Sequence, residues 1–155
     1  IIYEDSAARL AKAADDIYTS LAAYSKQQNP AQPELGYAQT LLSWVQTFNY
    51  RRDTNKMDCD FTSLPAMLCG EGNDCDSRSM LLSVLLNKAG IETIMIFSPE
   101  YSHAMAAAKI AAPGQTFTDP ETGSKYLMGE TTTKITWGII HKDHADRSKW
   151  LAIHF

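Results

Sequence analysis

The chain has 155 residues, 45% of them hydrophobic, and carries 14 Lys and Arg against 18 Asp and Glu for a formal net charge of −4. That length and apolar content suit one domain, residues 1–155, with a real core. The acidic balance, with no clustered Lys/Arg run, argues against a nucleic-acid partner, and the absence of a run of about 20 apolar residues argues against membrane contact within this segment.

Taken in order, residues 4–28 read as a long amphipathic helix with Leu10, Ala14, Ile17 and Leu21 on one face. Asn29-Pro30-Ala31-Gln32-Pro33 ends it, because each proline lacks a donor and restricts its predecessor. Residues 34–48 predict a second helix whose Tyr37, Leu41, Trp44, Val45 and Phe48 share a face. Residues 49–73 are polar and turn-rich around the short segment Leu64–Leu68, a long loop of the kind that forms binding walls.

From Gly70 to Gly90 a Gly- and Asp-rich turn delivers Cys75 to a helix that is apolar nearly all round (Met80, Leu81, Leu82, Val84, Leu85, Leu86, Ala89), and so must be buried. Gly90 stands where a helix C′ residue belongs. Residues 91–97 predict a buried strand and 103–110 a second one, although the alanines of the latter suit a strand poorly. Residues 112–125 read as a turn cluster leading into Tyr126-Leu127-Met128 and Gly129-Glu130-Thr131-Thr132-Thr133, a hairpin-like pairing, and a short strand over 150–155 closes the chain. The expected product is an antiparallel, twisted sheet backed by the Cys75 helix.

A helix N-terminus presents free N–H groups and a partial positive charge, which favour thiolate and can hold an oxyanion, so Cys75 is a candidate nucleophile. Asp74 and Asp76 flank it and oppose that effect, unless one of them serves as the helix cap. A thiol nucleophile needs a base and a group that orients the base. His103, opening a strand next to this helix, is the best base; Glu130, at the end of the strand expected to pair with it, is the preferred acceptor, with Asp119 as its rival. Gln39, Trp44 and Tyr50 are candidate second oxyanion donors, with nothing to choose among them.

The blocks L-P-A-M-L-C-G-E-G-N-D-C-D-S-R-S-M-L-L-S-V-L-L-N-K-A-G-I, S-H-A-M-A-A and Y-L-M-G-E-T-T-T-K-I-T-W-G, spread over residues 39–138, resemble the bacterial transglutaminase-like superfamily of papain-fold cysteine enzymes. The resemblance implies an α+β fold in which a nucleophile-bearing helix packs on a small antiparallel sheet, here with extra N-terminal helices. Position by position it implies Cys75 as nucleophile, His103 as base and Glu130 as third member, acting on a protein or peptide substrate without a cofactor. The family usually shows G-D-C where this chain has Asn73-Asp74-Cys75, and Asp more often than Glu as third member. Peptidase or amidase activity is the leading expectation, with transglutamination as the variant in which an amine replaces water. A contrasting expectation is a domain that has lost catalysis and binds peptides within a larger envelope protein. The start at Ile1 reads as a segment of a longer protein, with a lean toward an extracytoplasmic or membrane-anchored setting. The oligomeric state is left open.

Three cysteines, Cys59, Cys69 and Cys75, are too few for a disulfide scaffold, though Cys59 and Cys69 could pair in an exported protein. His141-Lys142-Asp143-His144-Ala145-Asp146 invites a metal reading, but spacing places no further ligand, and a solvated loop is the expectation. Asp53, Asn55, Asp58 and Asp60 do not follow the EF-hand spacing. No metal site is expected.

Overall fold

A computed structural model describes residues 1–52 and 61–155. Helix α1 spans Ile2–Gln28 and α2 spans Pro33–Val45, with Pro33 in the first turn, where its missing N–H costs nothing. The short α3 is Leu64–Leu68 and α4 is Cys75–Lys88. Strands β1 (Thr93–Ser98), β2 (His103–Ala108), β3 (Thr116–Thr118), β4 (Lys125–Gly129) and β5 (Leu151–Ile153) form one sheet in the order β3-β4-β2-β1-β5, every pair antiparallel. Two 3₁₀ turns, Lys142–His144 and Arg147–Lys149, lead into β5.

Helix α4 lies in the middle, against β1 and β2 on one side and α1, α2 and α3 on the other. Leu81, Leu82, Val84, Leu85 and Leu86 are all buried, which explains why its sequence has no polar face. At its far end the Asn87 side chain accepts from Thr93 N (2.8 Å) and donates to Thr93 O (2.8 Å), fixing helix to strand. Gly90 takes φ +82, the left-handed conformation that lets the chain leave the helix and turn into β1.

The sheet is covered on both faces. Ala106, Ala108 and Leu127 join the helices in one core, while Ile94, Ile96, Met105, Ala107, Phe117, Tyr126, Met128 and Trp150 make a second cluster. The alanines that argued weakly for a strand are fully buried from Ala104 to Ala108. Small side chains let α4 approach β2 closely, and that tertiary requirement outweighs intrinsic propensity.

The expected hairpin of 103–110 with Tyr126-Leu127-Met128 is present as β2 and β4, but the intervening turn cluster is not all turn. It contains β3, which pairs with the outer edge of β4. The second helix ends at Val45 rather than Phe48. Trp44 and Phe48 are half-buried there in edge-to-face contact, with centroids 5.0 Å apart. Among the described residues no helix is long and apolar enough to cross a membrane.

Candidate active site

The turn before Cys75 is stitched to residues 49–51. Asn73 N donates to Asn49 O (3.0 Å) and Arg51 N donates to Asn73 O (2.8 Å). Asn73 itself is buried, and its Oδ1 accepts from Arg78 Nε at 2.6 Å. A glycine at this position would offer no such acceptor. Asp74 caps α4, accepting from Ser77 N at 2.9 Å, which leaves Cys75 as the first helical residue.

Cys75 is 2% exposed and packs with Met95 and Ala104, the residue after His103. Its thiol points to Asp76 Oδ1 at 3.6 Å. Burial, then the charge of Asp76, push the thiol up to about 12, against the opposing effects of the Ala104 N–H and Arg52. Burial and the neighbouring carboxylate thus oppose the thiolate that a helix terminus favours.

His103 opens β2 directly after Ser102, whose φ of +47 turns the chain into the strand. Arg52 Nη1 donates to Ser102 O at 2.8 Å and holds that turn. The His103 Nε2 lies 2.8 Å from Glu130 Oε2, with both side chains largely buried. The other carboxylate oxygen of Glu130 accepts from Thr132 N (2.8 Å) and Thr132 Oγ1 (2.7 Å). Burial pushes the Glu130 carboxyl up, but the His103 bond and charge and the two Thr132 bonds prevail and hold it below its ordinary range.

Two buried side chains that pattern reading did not single out fix this arrangement. Arg78 donates to Asn73, to Thr131 O (3.0 Å) and to Phe48 O (2.6 Å), and its guanidinium lies 5.1 Å from the centroid of the Tyr50 ring. It thus ties the turn before Cys75 to the segment after β4. Gln46 Nε2 donates to Glu130 O (2.8 Å) and Ile135 O (2.9 Å).

The remaining candidates lie in different surroundings. Tyr50 bridges to Asn73 and interacts electrostatically with Cys75; burial foremost, then Cys75, raise its phenol and keep the O–H intact. Gln39 is engaged elsewhere, donating to Ser43 Oγ (3.0 Å) and accepting from Trp137 N (3.1 Å). Trp44 lines a pocket between α1 and α2 with Ile17 and Leu21. Asp119 caps its own turn, bonded to Thr122 and 3.5 Å from His154. The proposed Cys59–Cys69 pairing and the acidic run from Asp53 to Asp60 involve residues outside the described range; Cys69 is exposed. His141 pairs with Asp143 on the surface, whereas the His144 ring lies tilted against His103 with centroids 5.0 Å apart. Beside Glu130, a groove of about 320 Å³ is lined by Thr132, Thr133, Ile135, Ile139 and Ile140.

No protein-family model and no curated protein sequence matches the chain. Among solved structures, it resembles EGTA-treated Legionella pneumophila LapG with a TM-score of 0.50 at 16% identity, covering 95% of this chain and 78% of that one. Calcium-bound Legionella pneumophila LapG gives 0.45 at 15% identity, covering 74% of this chain and 60% of that one. A candidate cysteine protease from Cytophaga hutchinsonii gives 0.43 at 13%, covering 88% and 47%. The chain thus spans 60% and 47% of the lengths of the latter two. At these identities the likeness to the EGTA-treated structure speaks to architecture alone. Together with a helix that begins at a buried cysteine and packs on an antiparallel sheet, it shows an α+β fold of the papain-like, transglutaminase-like type.

Proposed function

We propose that the chain carries out thiol-dependent acyl transfer on amide bonds of a protein or peptide, as a cysteine peptidase or amidase, with Cys75, His103 and Glu130 as its triad. The observation that carries the reading is the buried 2.8 Å bond between His103 and Glu130, made beside the strand residue on which Cys75 packs. An ionised Glu130 accepts the Nε2 proton and leaves the lone pair of Nδ1 to act as base.

Because burial keeps the thiol protonated at rest, its proton leaves as the reaction proceeds: the sulfur attacks the carbonyl carbon while Nδ1 of His103 takes the proton. The Cys75 N–H at the helix terminus and the Tyr50 hydroxyl would receive the negative oxygen. His103 then returns the proton to the departing amine, leaving a thioester. Water, activated by the same nitrogen, releases the acid and regenerates the thiol. An amine acceptor in place of water would give transamidation.

Turnover of a peptide library by the wild type, lost in both Cys75→Ala and His103→Ala variants that remain folded, tests the proposal. Full activity in either variant contradicts it. A second reading, a non-catalytic peptide-binding module, draws on the thiol raised to about 12. It requires peptide binding with no acyl-enzyme detectable by intact mass.

A further inference from the structure

His144 has no task in this chemistry, yet it is built into the site. Its turn is held by Trp150 Nε1, which donates to His144 O at 2.9 Å, and its ring packs on His103 and on Tyr101, with centroids 5.0 and 5.1 Å away. Among the described residues the His144 Nδ1 is buried without a hydrogen-bond partner, an expensive arrangement for a polar atom with nothing to bind. One ligand atom each from His103, Glu130 and His144 lies within 4.8 Å of the others.

Two imidazoles and one carboxylate form a donor set for a borderline divalent ion of the zinc class. Calcium and magnesium prefer oxygen donors, about six or more of them, and this cluster offers too few. Zinc holds such donors at about 2.0–2.2 Å, so binding requires the three side chains to draw together modestly around it. Glu130 and His144 both border the groove of Thr132 and Ile139, which provides an entry path and leaves room for a water at the fourth position.

We propose that His103, Glu130 and His144 bind a zinc-class divalent ion, His103 through the Nε2 that now faces Glu130, and that the imidazole then carries its one proton on Nδ1, so that it has no lone pair left to take the Cys75 proton and the thiol is silenced. The silencing rests on the triad reading; the binding does not.

Titration of the full chain with Co²⁺, a spectroscopic stand-in for zinc, tests the site directly. The expected result is one equivalent bound, with visible bands of a nitrogen- and oxygen-ligated ion and no thiolate-to-metal band. Cys75→Ala should bind alike, and His144→Ala should bind at least about tenfold more weakly, since losing a ligand costs no less than losing its outer support. Unchanged binding in His144→Ala, or loss of binding in Cys75→Ala, overturns the proposal. Imidazole ¹⁵N spectra of the unmutated protein give a reading free of any folding defect. Of the four histidines, zinc should move His103 and His144 and spare His141 and His154; any other pattern overturns the site. Zinc should also stop labelling of Cys75 by a peptidyl electrophile, reversibly on chelation. Cobalt bound as expected to a protein whose Cys75 never reacts supports the site while removing the triad, so the two failures are distinct.

Discussion

His103 and Glu130 meet on a diagonal. The β2–β4 register pairs Ala106 with Gly129, so continuing it sets Glu130 opposite Met105 and Thr132 opposite His103. Diagonal neighbours in an antiparallel pair are about 7–8 Å apart, within reach of a long side chain. Glutamate has the length to close that gap to the observed 2.8 Å, and its Oε1 turns back to Thr132. The length of the glutamate thus suits the register. Glu130→Asp should lower turnover although it keeps the charge, and Glu130→Gln should lower it by about 100-fold to 10,000-fold through loss of imidazole orientation. Comparison of kcat for the two variants checks this.

The same carboxyl links stability to pH. Its folded pKa lies below the ordinary 4.5, so its contribution is complete above that value and lost as pH falls through the folded one. Urea unfolding of the wild type should therefore weaken more steeply on acidification than that of Glu130→Gln, with the two curves converging once both side chains are neutral. Parallel curves would contradict the assignment.

Arg78 should be worth more to the fold than its single charge suggests. Truncation to Met leaves Asn73 Oδ1, Phe48 O and Thr131 O without a donor in a buried setting. We expect a loss of about 3–5 kcal/mol in urea unfolding. Arg78→Lys should recover only part of it, because an ammonium cannot span the three acceptors.

Gly129 precedes Glu130 and touches Trp137. A Cβ added there would lie 2.5 Å from Cζ3 of that buried ring. Ring or backbone must give way, so Gly129→Ala should cost about 1–3 kcal/mol and shift the backbone that aims Glu130. A fall in kcat larger than that of Gly123→Ala, which is destabilised by its φ of +71 at a turn with nothing near the added Cβ, would confirm the second effect.

Much of this fold could be read from the chain because local and tertiary demands agree. The all-round apolar pattern of residues 80–86 has one solution, a helix enclosed on every side, and the prolines at 30 and 33 fix where the preceding helices part. Strand β3 was not legible: three residues within a Gly- and Pro-rich stretch are too few for an alternation to show. Arg78, and the place of His144 beside His103 rather than in a solvated loop, were hidden for a different reason. Arg78 finds its carbonyl partners 30 and 53 residues away. His144 reaches the site because Trp150 anchors its turn. Neither relation leaves a periodic trace. The thiol was read only in part: its place at a helix start was visible, but its burial on Ala104, which decides its protonation, depends on the packed sheet.

The most direct measurement is competitive labelling of the native protein with a peptidyl epoxide near neutral pH, read by peptide mapping with exposed Cys69 as the internal reference. The account predicts that Cys75 outpaces Cys69, and that His103→Ala slows Cys75 by at least about 100-fold while leaving Cys69 unchanged. Labelling of Cys75 at the same rate in wild type and His103→Ala, or labelling confined to Cys69, would contradict it.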